Sequence, residues 1–247
     1  MSVTSLSAAL GADPDTDRGP ESAWRDARYE RKLRVPERVG ADMETRLRMH
    51  RGAFLSLYPP RQVNSLYFDT PDLRCLHDNV AGNRDRFKVR IRWYGEADGP
   101  VEDAVLEIKR KRGFAGIKSR YRLGALDLSA ELEPDRLLRR YEDAGVPLEL
   151  RLGLAALTPV LQNDYSRRYL LSAGGHFRAT IDDRMHFRQV LRADLSFEGR
   201  RFLLPGSVLE LKYRLEDEAR LADLVGDMPY RVSRNSKYVT GMRGCWG

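Results

Sequence analysis

The sequence predicts an α+β protein built on an antiparallel β-barrel, closed around a charged lumen, with helices packed outside. Three observations lead to it. Much of the chain alternates between apolar and polar residues, the period of a strand whose successive side chains point to opposite faces. Strand-like runs are interrupted once by helical spacing and resume before a last helix, an order that suits α+β chains. Six strand candidates carry charge, mostly Lys and Arg, on a single face.

Taken in order, RYERKLRV (28–35) reads as a strand and PERVGADMETRLRMH (36–50) as a helix with Pro36 near its start. NSLYFDT (64–70) is strand-like. TPDLRCLHDNVAG (70–82) is a short helix or turn ending at Gly82, and Asp69 is placed to cap it. RFKVRIRWYG (86–95) and AVLEIKRK (104–111) form a hairpin-like pair across the polar EADGPVED, and GIKSRYRLG (116–124) alternates again. A helical insert covers about 129–157, before Pro159. Strands resume at 158–172, 176–188, 193–199 and 207–215, followed by a helix over 216–227. Ser236 lies near the start of a further helix. Residues 1–24, rich in Ser, Asp, Gly and Pro, read as a flexible tail, leaving 25–247 as the folded domain.

The charged faces carry the functional argument. In FKVRIRWY (87–94), Phe87, Val89, Ile91 and Trp93 oppose Lys88, Arg90, Arg92 and Tyr94. Glu30, Lys32 and Arg34 share a face; so do Glu107, Lys109 and Lys111, and Lys118, Arg120 and Arg122. Arg178, Thr180 and Asp182 form another set, and Glu210, Lys212 and Arg214 a last one. On any single strand, an open sheet with its charges in water explains this alternation. Taken together, like charges on neighbouring strands repel unless an anion sits among them. A barrel with its apolar faces outward under helices and its charges inward, around such an anion, satisfies the pattern. Such a lumen suits phosphate: Arg forks and Lys ammoniums grip the oxygens, and Glu holds a divalent metal.

The bulk numbers bound the alternatives. With 247 residues, 42% hydrophobic and 32% charged, the chain has ample material for a core. The net charge of +7 points to anionic partners. No RRM, KH or helix-turn-helix signature accompanies that charge, so nucleic acid is not the expected partner. Cys75 and Cys245 stand apart without ligand spacing, which argues against a disulfide scaffold or structural zinc and points to a reducing, cytoplasmic setting. No run reaches the ~18 apolar residues of a membrane span, and the N-terminus lacks the basic start of a signal peptide. His50, His77, His176 and His186 have no spacing that suggests a metal site or a triad.

The ordered segments YERKLRV, SLYFDT, FKVRIRWYG, LEIKRK, IKSRY, YSRRY, RATID, LELKY and SKYVTG resemble the VTC (vacuolar transporter chaperone) polyphosphate-polymerase domain, of the triphosphate tunnel metalloenzyme (CYTH-like) superfamily, over roughly residues 25–245. The resemblance implies that Lys32, Arg90, Arg92, Lys109 and Lys118 line a tunnel and grip the triphosphate and the growing chain. Tyr165, Arg167 and Arg178 match a second group of phosphate contacts. Arg234, Ser236 and Lys237 match a C-terminal element that closes on the phosphates. Glu210 matches the ligand of Mn2+ or Mg2+, with Glu107 and Glu30 as further candidates or as partners of the lumen cations. The implied reaction passes the ATP γ-phosphate to inorganic phosphate or polyphosphate.

Two departures qualify the match. The superfamily's ExExK start is here Arg28, Glu30 and Lys32, one carboxylate replaced by a cation, which favours the polymerase over a triphosphatase. A non-catalytic polyphosphate- or triphosphate-binding module is the other alternative. The sequence shows neither an SPX-like domain nor a membrane span, which leaves any membrane-protein partner open.

Overall fold

The computed structural model describes residues 28–37, 42–112, 115–128, 130–191, 195–226, 228, 230, 232, 233 and 235–246. The predicted tail lies outside the described residues. The elements are β1 (Arg28–Val35), α1 (Met43–Met49), β2 (Leu55–Asp69), α2 (Arg74–Ala81), β3 (Asp85–Tyr94), β4 (Pro100–Arg112) and β5 (Ala115–Asp127). After the helical insert, α3 (Pro134–Asp143) and α4 (Leu148–Leu154), come β6 (Thr158–Leu171), β7 (Arg178–Gln189), β8 (Arg201–Leu204) and β9 (Ser207–Arg214). A 3-10 turn, Leu215–Asp217, leads into α5 (Glu218–Gly226), and α6 is Lys237–Trp246.

The strands form one antiparallel sheet in the order β1-β9-β7-β6-β2-β3-β4-β5, with β8 paired to β7. Most expected elements are present. The strand expected at 193–199 is not; among its described residues none is in a strand, and β8 follows instead. β2 begins nine residues earlier than the expected 64, at Leu55. Pro59 and Pro60 mask it in the sequence. They are tolerated because β3 pairs only from Val63 onward, so this half of β2 is an edge, with register shifts against β6 around Tyr58.

The sheet is not closed into a barrel, contrary to the sequence expectation. Among the described residues β1 and β5 share no ladder. The outer edge of β1 is already taken: Val232 bridges Leu33, and the Ser233 amide donates to the Lys32 carbonyl at 2.7 Å. A chain segment therefore occupies the groups that β5 would have to pair. The sheet still curls far enough for Glu30 and Lys32 of β1 to act electrostatically on Lys109 of β4.

Two apolar clusters cover the sheet, and both lie under helices. Phe87, Val89, Ile91, Trp93, Leu106 and Ile108 pack in one cluster with Cys75 of α2, Leu137 and Tyr141 of α3, Leu150 and Leu154 of α4, and Met242 of α6. Leu33, Val35, Ile181, Leu209 and Leu211 pack with Met43 and Leu47 of α1 and Leu221 and Leu224 of α5. The predicted inversion of FKVRIRWY thus holds: its apolar residues are the helix-covered ones. Among the described residues no helix is long and apolar enough to cross a membrane.

Asp69 fixes the end of β2 to two helices. Its Oδ1 accepts the Thr70 and Cys75 amides, both at 2.8 Å, and its Oδ2 accepts the Leu76 amide at 3.0 Å and the Tyr238 hydroxyl. The expected cap for the following helix is therefore also the anchor of α6. Gly241 lets that helix approach closely, since a Cβ there would clash with the Phe187 ring. Asp69→Asn keeps one acceptor oxygen but sets an NH2 against one pair of buried donors. The expected cost is about 2–4 kcal/mol, read as a Tm lower by roughly 5–15 °C in thermal unfolding.

Candidate functional site

The concave face of the sheet encloses a cleft of about 410 Å3, lined by ten lysines and arginines against three glutamates, with five tyrosines. Strand register sets these side chains in rows. One row crosses β2 to β5 as Tyr67, Arg90, Glu107 and Arg120. The next sets Lys88, Lys109 and Lys118 side by side on β3, β4 and β5. On the opposite wall, Lys32 faces Glu210, which faces Thr180, and Glu30 faces Lys212, which faces Arg178.

Glu107, only 3% exposed, is the hub of the first wall. Its Oε2 accepts Arg90 Nε at 2.8 Å and Nη2 at 2.6 Å. Its Oε1 accepts Lys118 Nζ at 2.8 Å and Arg120 Nε at 3.0 Å, and Arg92 lies 3.8 Å away. Burial opposes its ionisation, but Arg90, Arg92 and Lys118 outweigh burial and hold its carboxyl well below the usual range. The lysine row has less compensation. Burial, with Lys32, Lys109, Arg86 and Arg90 nearby, pushes the Lys88 ammonium down to about 7. Burial also takes Lys118 down to about 8 despite its bond to Glu107, and lowers Lys109. Lys88 Nζ donates to Ser236 Oγ at 2.8 Å.

On the second wall Lys32 Nζ lies 2.6 Å from Glu30 and 3.5 Å from Glu210, while Lys212 Nζ is 2.9 Å from Glu210. Burial opposes the Glu210 charge, yet Lys32, Lys212 and Arg167 keep its carboxyl well below the usual range. Between the walls sits Tyr165, fully buried. Arg92 donates to its hydroxyl at 3.2 Å, and Lys237 Nζ lies 4.6 Å from its ring centroid. Burial would raise its pKa, but Arg167, Arg92 and Lys237 lower it on balance. Arg167 forks onto Asp182 at 2.6 and 2.8 Å, and Lys237 also donates to Asp182. The pairing rests on a bulge: between Asp164 and Ser166 the β6–β7 register shifts, with Arg184 at φ 50°.

A model of the VTC domain matches residues 27–245. The chain belongs to the VTC domain family. No curated protein sequence matches it. Among solved structures similar to this VTC domain is a Hippeastrum protein described as an adenylyl cyclase with a dominant triphosphatase activity. It shares 16% identity over 88% of this chain and 96% of that one, with a TM-score of 0.48. A protein of Vibrio parahaemolyticus described as an adenylate cyclase shares 13% over 86% and 97%, TM-score 0.45. A Pyrococcus horikoshii protein shares 12% over 87% and 99%, TM-score 0.45.

Within the VTC domain the cleft brings together Lys32, Arg90, Arg92, Lys109, Lys118, Tyr165, Arg167, Ser236, Lys237, Glu30, Glu107 and Glu210. Arg178 is not among them; it is exposed on the same face and lines the adjoining hollow with Lys212 and Arg214. Arg234 lies outside the described residues. Sequence reasoning set Lys88, Arg120 and Lys212 on the charged strand faces but gave them no site role, and it passed over Tyr67. It also missed Asp182 as the counter-charge of Arg167 and Lys237; its in-phase position after Arg178 and Thr180 was the available signal.

Among the described residues no three His, Cys, Asp or Glu side chains converge as a metal group. Both Glu107 oxygens are engaged by cations, and so are both Glu210 oxygens, Oε1 by Lys212 and Oε2 by Lys32. Glu30 and Glu210, however, both reach the Lys32 ammonium, so two carboxylates converge on one cation position. That suits a hard divalent ion held by one or two carboxylates plus substrate phosphates, and not a closed protein cage.

Removing the Glu107 charge leaves partly buried guanidiniums uncompensated. Glu107→Gln should lower Tm by roughly 6–12 °C, corresponding to about 3 kcal/mol once the exposure of Lys118 and Arg120 is discounted. Added tripolyphosphate should recover more stability in this variant than in wild type, as seen by differential scanning fluorimetry. A second expectation concerns pH. Lys88 is charged below about 7 and neutral above it, so the cleft loses positive charge, and polyanion affinity, as pH rises from ~6 to ~8. Lys88→Arg stays protonated throughout that window, and titration calorimetry should show a flatter pH profile for it than for wild type.

Proposed function

We propose that this VTC domain is a metal-dependent polyphosphate polymerase that passes the γ-phosphate of ATP to a phosphate or polyphosphate acceptor. The observation that carries the reading is the row Lys88, Lys109 and Lys118, three cations placed directly opposite one another with one carboxylate, Glu107, at its end. Like charges in register destabilise a sheet. A polyanion in the cleft would relieve that repulsion, and the buried Arg92 Nε, without a partner among the described residues, is a further donor for it.

Transfer of a phosphoryl group asks mainly for alignment and for stabilisation of charge on the transferring oxygens. Arg90 and Arg92, stiffened by Glu107, Tyr67 and Tyr165, would hold phosphate oxygens bidentately. Lys109, Lys118 and Lys88 would spread positive charge along the chain of phosphates. Lys237 and Arg167 are set by Asp182 at the opposite wall, and Ser236 brings the start of α6 to the same phosphates. Arg178 would contact phosphates beyond the cleft, and Arg234, outside the described residues, would join Ser236 and Lys237. Mg2+ or Mn2+ at Glu210, with Glu30, would neutralise part of the triphosphate charge.

Polymerisation fits this chemistry better than hydrolysis. Water must lose a proton to attack phosphorus, whereas a phosphate acceptor is already an anion at neutral pH. Glu107 and Glu210, held well below the usual carboxylate range, are poor bases, so hydrolysis would have to draw on Lys88 above about pH 7, a proton acceptor that an anionic phosphate does not need.

Incubation of the purified chain with ATP and Mn2+ should yield ADP and long-chain polyphosphate. Arg90→Ala and Lys109→Ala should slow it by roughly 10²–10³-fold, and Glu210→Ala should abolish its metal dependence. Phosphate release without polymer points to a triphosphatase; tight polyphosphate binding without ADP points to a binding module. Equal rates for wild type and Glu210→Ala would remove the proposed metal site.

A further inference from the structure

One end of the cleft carries a group of aromatic rings that phosphate chemistry does not explain. Tyr94 and Tyr169 line the cleft, and Tyr58 stands beside them, its ring centroid 5.8 Å from that of Tyr169 at an interplanar angle of 83°. Tyr58 and Tyr94 are 50% and 51% exposed. Arg61 lies between them, its guanidinium 5.4 Å from the Tyr58 ring centroid and 5.7 Å from that of Tyr94.

The backbone holds these rings outward. Register shifts on both sides of Tyr58, the second at Pro59 and Pro60, leave it paired opposite Tyr169 at an irregular point of the ladder, and β3 ends at Tyr94 against Gly95 at φ 94°. Tyr94 is two residues beyond Arg92 on the same face of one strand, about 7 Å at the usual rise per residue. Tyr169 also receives the Arg167 guanidinium, 6.0 Å from its ring centroid. The ledge is thus continuous with the cationic cleft, and Tyr94 stands about the width of a sugar from Arg92.

We propose that the ledge of Tyr58, Tyr94 and Tyr169, with Arg61, receives the base of a nucleoside triphosphate whose phosphates occupy the cleft. The inference rests on the phosphate-handling reading of the cleft and adds the nucleoside part of the substrate. Aromatic faces and a planar guanidinium stack any base, because every base presents a π-face. Reading a base's edge requires free donors and acceptors, and the neighbouring amide donors are engaged. Asn64 donates to the Gly95 and Glu96 carbonyls, and Gln62 to Asp164. Stacking, the ledge's main contribution, does not distinguish one base from another, so ATP and GTP should bind comparably.

Titration calorimetry with ATP, GTP and inorganic tripolyphosphate, on wild type, Tyr58→Ala, Tyr94→Ala and Tyr94→Phe, tests the inference. The ratio of ATP to tripolyphosphate affinity should fall about tenfold to a hundredfold in Tyr94→Ala, less in Tyr58→Ala, and hold in Tyr94→Phe, which keeps the ring. ATP and GTP should agree within a fewfold in wild type. An unchanged ratio in both alanine variants overturns the ledge while tripolyphosphate binding leaves the cleft reading intact. A wild type that binds no tripolyphosphate overturns the cleft reading, and the ledge with it.

Discussion

Three lysines in register across β3, β4 and β5 are the constraint around which the remaining charges are arranged. A sheet does not ordinarily place like charges directly opposite one another on one enclosed face. Here the row is tolerated because buried carboxylates stand at its margins. Glu107 ties Arg90, Lys118 and Arg120 into one cluster, and Asp182 does the same for Arg167 and Lys237. Burial, and then the cations those carboxylates leave uncompensated, push the Lys88 ammonium down to about 7. The site is therefore organised as a deficit of negative charge, confined to a volume comparable with a short run of phosphates.

The same arrangement depends on the C-terminal helix. α6 carries Ser236 and Lys237 to the cleft, yet it is held from behind by Tyr238 on Asp69 and by Met242 in the apolar core. Asp69 belongs to the end of β2 and also fixes the first turn of α2. One buried carboxylate thus couples the sheet, a helix beneath it and the element that brings the last cation into place. Precision of this kind comes from rigid elements.

Much of this was legible in the chain because its physics is local. Alternation in FKVRIRWY separates a core face from a cationic face whatever the fold, and Glu-x-Lys recurring in phase at Glu30, Glu107 and Glu210 marks three strands of one surface. Closure was not legible. Whether β1 meets β5 depends on a segment two hundred residues away, Val232 and Ser233, which takes the β1 edge first. Pairing was not legible either: Asp182 meets Arg167 only through a bulge in β6–β7. Arg178 illustrates the limit of phase arguments, since the correct face is not enough when the position falls past the end of the cleft. The prolines of β2 concealed a strand that edge geometry permits.

The internal ion pairs have a consequence for how an anion enters. Most of the cleft's cations are not bare; they already hold a carboxylate of the protein. A phosphate bound as proposed would exchange places with Glu107, Glu210 or Asp182 as partner, and the energy gained would be a difference between two strong contacts. Cations neutralised from within also retain fewer solution anions to be released on binding, so sensitivity to ionic strength should be shallower than a tally of positive side chains implies. Grip that is strong in each contact but modest in sum is what a chain of repeating phosphates needs if it is to advance one unit at a time.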